Sequence, residues 1–147
     1  MLMCCTKRRN KTYPLLPFSQ LVFDMTRWAP WVYMFESRWC LHSQKKELQR
    51  IESAILQVLN HHPVFNMHVD AHGYQSYQSS PATMKGQYYA IRLWTKEEDV
   101  YGRFRWSRIL GDSKSIYIFF ENIIRAYKGE VLPSDEYLTY LEEQSQI

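Results

Sequence analysis

Cysteine and glycine are scarce, and long apolar runs are missing. The 147 residues hold three cysteines, five glycines and six prolines. Cys4 and Cys5 are adjacent and Cys40 stands alone, so the chain has neither a disulfide framework nor a C-x-x-C metal motif. The apolar stretch from Trp28 to Phe35 is broken by Pro30 and falls well short of the roughly 18 residues a membrane span needs. The basic start, with Lys7, Arg8, Arg9 and Lys11, is not followed by the apolar segment of about 7 to 15 residues that marks a secretory signal. A cytoplasmic protein without a membrane partner is therefore expected, with residues 1–12 as a basic, flexible tail. Internal repeats and low-complexity tracts are absent too.

Surplus charge is equally small. Eighteen basic residues against fifteen acidic give +3, but four of the basic ones lie in the first eleven positions, leaving the rest near neutral. A nucleic-acid-binding face needs a local basic excess, so no nucleic-acid partner is expected. Arg103, Arg105 and Arg108, interleaved with Phe104 and Trp106, read better as a strand with one aromatic core face and one arginine-bearing face.

What is present is core material. With 46% hydrophobic and 16% aromatic residues, the chain has the composition of one folded domain. Tyr13 to Gln20, with Pro14 and Pro17, reads as an extended lead-in that continues through Leu21 to Met25. Trp31 to His42 has the aromatic and β-branched content of a strand. Ser43 offers an N-cap, and Leu48, Ile51, Ile55, Leu56, Val58 and Leu59 recur at helical spacing up to Pro63. Val64 to Asp70 and Tyr74 to Gln78 flank an Ala71-His72-Gly73 turn, predicting a hairpin. Ser79 to Gly86 is loop-like. Gln87 to Trp94 and Tyr101 to Ile109 read as strands on either side of a charged turn. Asp112 or Ser113 caps a helix whose stripe of Ile116, Phe119, Phe120, Ile123, Ile124 and Tyr127 ends at Lys128-Gly129. Pro133-Ser134-Asp135 opens a last helix carrying Tyr137, Leu138 and Leu141.

Two clusters invite chemistry. His61, His62, His68 and His72 are close in sequence, but two end a helix, one sits on a polar strand face and one in a turn, so no metal site is assigned. His61-His62-Pro63-Val64-Phe65-Asn66 superficially resembles an acyltransferase HHxxxD motif. However, His62 closes a helix rather than following a buried strand, and it is not taken as catalytic.

The strand–turn–helix setting of that motif occurs instead at Phe104-Arg105-Trp106-Ser107-Arg108-Ile109-Leu110-Gly111-Asp112-Ser113-Lys114-Ser115. This segment resembles the region around the HHxxxDG motif of nonribosomal peptide synthetase condensation domains. Ser107 and Arg108 occupy the two His positions, Asp112 the Asp, Ser113 the Gly, and Ser115 a Ser that opens the helix. Tyr13-Pro14-Leu15-Leu16-Pro17 is similar to the family's opening YPLTP-type segment. The helix ending at His62-Pro63-Val64-Phe65, followed by a hairpin with its turn at Asp70 to Gly73, is similar to the family's first helix and hairpin. The likeness runs from Tyr13 to about Glu143, carried more by order and spacing than by identity.

The resemblance implies an α/β (α+β) fold: one chloramphenicol-acetyltransferase-like lobe over residues 13–147, a mixed β-sheet packed against helices, with the second lobe absent. It implies amide-forming acyl transfer between carrier-protein-bound thioesters, with the carrier's phosphopantetheine as substrate arm and no bound cofactor. The implied partner is a carrier (thiolation) protein, with a second lobe or self-association through an apolar junction face. The implied site has Arg108 at the catalytic His position, Asp112 as structural motif residue, and Ser107, Ser113 and Ser115 on the substrate side. A guanidinium offers no lone pair to accept a proton, and a site formed between two lobes loses its proximity and electrostatic contributions when one is absent, so the half-domain is expected to be inactive alone. Arg108 is left either stabilising oxyanion charge, holding a phosphate, or serving structure only. Two alternatives stay open: a non-catalytic carrier- or protein-docking module, and a lobe of a coenzyme-A-dependent acyltransferase of the same fold.

Overall fold

Hydrophobic periodicity becomes two layers over one main core. A computed structural model of the chain describes residues 11–27, 29 and 34–145. The basic start up to Asn10, and Trp31-Val32-Tyr33 of the expected first strand, lie outside the described residues. The described residues form six strands: β1 (Thr12–Pro14), β2 (Met34–Leu41), β3 (Met67–Val69), β4 (Tyr74–Tyr77), β5 (Tyr89–Lys96) and β6 (Asp99–Ser107). Four helices join them: α1 (Pro17–Thr26), α2 (Leu48–His61), α3 (Ser113–Tyr127) and α4 (Tyr137–Ser145). The class is α+β as expected. Its strands divide into two antiparallel three-stranded sheets, ordered β2-β6-β5 and β1-β4-β3. No described helix is long and apolar enough to cross a membrane.

The larger sheet shows why alternation matters. Phe35 pairs with Trp106, Ser37 with Phe104 and Trp39 with Gly102 across β2 and β6, while Tyr89, Ile91 and Leu93 continue these rows on β5. Successive strand residues point to opposite faces. This set faces α2 and α3, and Arg38, Arg92, Arg103 and Arg105 occupy the outer face. Helix α2 delivers Ile51, Ala54, Ile55, Val58 and Leu59 to the core. Burying the four larger of these side chains, Ile51, Ile55, Val58 and Leu59, contributes about 1.5–3 kcal/mol each. Helix α3 adds Ile116 and Phe119 to the same cluster.

Two local expectations are corrected. The lead-in is helical from Pro17, because proline at the first helical position forfeits only an amide that has no partner there anyway. Ser43 does not cap α2: it sits at φ +56° and donates its backbone N–H to Asp99 Oδ1 at 2.9 Å, and a 3-10 turn from Lys45 to Glu47 leads into the helix.

A smaller core ties the described ends together. Tyr13 on β1, fully buried, packs with Met67, Leu138 and Leu141 and donates its hydroxyl to Glu142 Oε1 at 3.1 Å. The buried Gln75 side chain donates to the Pro14 carbonyl and accepts the Tyr137 hydroxyl at 3.0 Å. Meanwhile α1 leaves Phe18, Leu21 and Met25 exposed, and α3 does the same with Tyr117, Ile118 and Ile124.

Candidate functional site

The turn between β6 and α3 borders a cavity of about 400 Å³. Its walls come from four places in the chain: Trp106, Gly111, Asp112, Ser115, Ile118 and Phe119 from the turn and α3; His62, Val64 and Phe65 beyond α2; Asp135 and Tyr137 before and in α4; and Leu16, Phe18 and Ser19 at α1. Ser19 Oγ donates to the Ile109 carbonyl at 2.8 Å, which fixes α1 against the turn. The walls are mostly apolar and aromatic. The indole N–H of Trp106 is buried with no hydrogen-bond partner among the described residues.

Asp112 organises the turn. Its Oδ1 accepts the Ser115 backbone N–H at 3.1 Å and the Ser115 hydroxyl at 3.2 Å, the geometry of a helix N-cap. These two bonds outweigh burial and hold the Asp112 carboxyl below the ordinary aspartate value. Gly111 is needed for space: a Cβ there would lie 2.6 Å from Ser115 Oγ.

The residues assigned from sequence scatter around this turn. Asp112 and Ser115 line the cavity together, whereas Ser113 is exposed at the first position of α3. Ser107 is 4% exposed and its Oγ accepts the Ile109 N–H at 3.3 Å. It faces a different hollow, beside Tyr88 and Arg105. Arg108 opens a 3-10 turn to Leu110, half-buried, and is not among the residues lining the cavity.

The imidazole that does reach the cavity is His62, which sequence reasoning set aside as a helix-end residue. Its side chain is 13% exposed, and Nδ1 meets Asp135 Oδ2 in a short contact. Nε2 lies 2.9 Å from Asn122 Nδ2. With Nδ1–H donating to the carboxylate, Nε2 accepts from the amide, so both ring nitrogens are occupied. A general base needs a lone pair free to meet its substrate, and this one is committed. Neighbouring His61 donates through Nε2 to the Pro133 carbonyl at 2.5 Å. The paired histidines thus bind the segment before α4 to the end of α2. No local sequence signal points to this, because the partners lie 73 and 72 positions away. His68 and His72 are exposed, on β3 and in the hairpin turn.

A pH dependence follows from the pair. Burial pushes the Asp135 carboxyl up, but the His62 bond, the Tyr137 N–H and the charges of His62 and His61 outweigh it, so its pKa lies below the ordinary 3.8. A group with a depressed folded pKa contributes stability that is present above its unfolded value and is lost as pH falls through the folded one. The melting temperature should therefore fall as the pH drops below roughly 4. Asp135→Asn should flatten that acid limb in thermal melts; a limb of unchanged slope would place the acid sensitivity elsewhere.

No known family profile matches the sequence, and no curated protein matches it. Solved structures do. The X-domain in its complex with OxyB from teicoplanin biosynthesis superposes with a TM-score of 0.75 at 14% identity, over 94% of this chain and 39% of that one. The EpoB cyclization-docking bidomain from Sorangium cellulosum gives 0.75 at 13% identity, over 95% of this chain and 36% of that one. The starter condensation domain of rhizomide synthetase RzmA gives 0.69 at 13% identity, over 93% and 44%. The chain thus spans less than half the length of each of these matches. With nearly all of its described elements placed as they are in those domains, the chain has the fold of a condensation-type half-domain of nonribosomal peptide synthetases.

Proposed function

We propose that this chain is the receiving half of a condensation-type acyl-transfer domain. Its cavity takes up the acyl-bearing pantetheine arm of a carrier protein, and it does not by itself supply the proton chemistry of amide formation. One observation carries this reading. At the β6–α3 turn, where the resemblance places two imidazoles, Ser107 is turned away and hydrogen-bonded to its own 3-10 turn, and Arg108 lies off the cavity wall. When an amine attacks a thioester carbonyl, the amine gives up a proton as the thiol leaves. Neither residue accepts one, and the His62 lone pair is held by Asn122. The apolar walls of Phe65, Ile118 and Phe119 suit an acyl chain, with Asp112 and Ser115 as the few polar groups.

The test is calorimetric titration of the purified chain with apo and holo carrier protein encoded nearby. Holo carrier should bind more tightly. The difference should vanish in Ile118→Trp, which fills the cavity, and persist in Arg108→Ala. Equal affinity for both forms would favour the second reading, a non-catalytic protein-docking module, to which the exposed Phe18, Leu21 and Met25 stripe of α1 lends support. Absence of binding to either form would remove the carrier from the account.

A further inference from the structure

A second group of chemically active side chains stands away from the cavity, at one end of the larger sheet. Cys40 pairs with Tyr101, and Leu41 with Val100, in the β2–β6 ladder. The next residues, His42 and Asp99, therefore come opposite one another. Cys40 on β2 and His42, in the turn one residue past its end, therefore meet Asp99 at the start of β6. Cys40 Sγ lies 4.0 Å from His42 Nδ1, and His42 Nδ1 lies 3.6 Å from Asp99 Oδ2. All three donor atoms fall within 4.8 Å of one another.

We propose that Cys40, His42 and Asp99 form a binding site for a divalent transition metal of the zinc class. Tetrahedral zinc with sulfur, nitrogen and oxygen ligands needs donor separations of about 3.4–3.6 Å. The three groups approach that arrangement with side-chain shifts on the order of 1 Å. The donor set decides the metal: a soft thiolate with an imidazole selects zinc and its neighbours over magnesium or calcium. The carboxylate is already oriented. Its Oδ1 accepts the Ser43 backbone N–H at 2.9 Å, leaving Oδ2 for the metal, which is the usual outer support of a ligating carboxylate. Ser43 is held at φ +56° in doing so. The His42 side chain is 85% exposed, so the metal has an open path in, and three protein ligands leave a fourth position for water or for a donor from another molecule. Bound there, the metal would join the end of β2 to the start of β6. The site stands independently of the carrier reading.

Cobalt(II) is the probe, because a thiolate–cobalt bond gives a charge-transfer band in the near ultraviolet. Titrating the full chain with Co2+ should produce that band at one equivalent, and Zn2+ should abolish it by displacement. Cys40→Ser should lose the band while keeping the circular dichroism of the folded chain. His42→Ala and Asp99→Asn should each weaken binding at least about tenfold. The paired variant Cys4→Ser/Cys5→Ser should retain the band. A band that survives in Cys40→Ser and disappears in the Cys4/Cys5 variant, or no thiolate–cobalt band at all, would overturn the site.

Discussion

Phe65→Ala should cost about 3–5 kcal/mol and lower the melting temperature by roughly 6–20 °C. Phe65 follows the end of α2 and is 7% exposed. Its ring centre lies 5.2 Å from each of Tyr89, Trp106 and Phe119, edge-on to the first two and tilted to the third. It therefore couples both faces of the main core: β5 and β6 on one side and α3 on the other. Truncation removes the ring's transfer free energy and leaves a void, because three rigid neighbours cannot all collapse into it. Against the 5–15 kcal/mol that holds a typical domain together, this is a large fraction. The same residue forms part of the cavity wall, so the variant should also lose the difference between holo and apo carrier. A melting shift below about 2 °C would show that the aromatic cluster relaxes around the hole.

Gly102→Val should destabilise the chain by about 1–3 kcal/mol or more, although valine is the better strand former. Gly102 is buried in the middle of β6, opposite Trp39. A Cβ built there would lie 2.1 Å from Trp39 Cζ2. The indole lies across the glycine and packs against Phe104 at 5.9 Å between ring centres. Strand propensity and steric fit therefore have opposite signs here, and a contact this close on a ring wedged against its neighbours decides for the steric term. Thermal melts report the loss, and a red shift of tryptophan emission would show Trp39 driven toward water. Unchanged or raised stability would mean that the ring swings aside at no cost.

What could be read in advance followed from local rules. Helices α2 and α3 announce themselves by Ile51, Ile55, Val58 and Leu59, and by Ile116, Phe119 and Ile123, because a 3.6-residue period has no other source. The Asp112 cap is equally local, with its partner three residues on. Helix α1 escaped notice because Phe18, Leu21, Val22, Phe23 and Met25 surround it with apolar residues, leaving no contrast between faces, and because Pro14 and Pro17 read as breakers. The place of Arg108 outside the cavity depends on the 3-10 turn that follows β6. The His62–Asp135–Asn122 arrangement and the Cys40–His42–Asp99 cluster depend on register and on contacts across 56 or more positions. Spacing along the chain places Cys40 two residues from His42 but carries no information about the distant partners of either group.

The clasp of β1 by α4 has a consequence for how the protein is made. Tyr13 and Glu142 stand 129 positions apart, and translation proceeds at about 5–20 residues per second. The first strand therefore leaves the ribosome on the order of 10 s before the helix that covers it has been synthesised. During that interval Tyr13 and Met67 lack the Leu138 and Leu141 side chains that bury them. The strands of both sheets are synthesised before α3, so it is the cover of the smaller sheet, and not its pairing, that waits for α4, and until then Tyr13 and Met67 offer an apolar surface of the kind that holding chaperones bind.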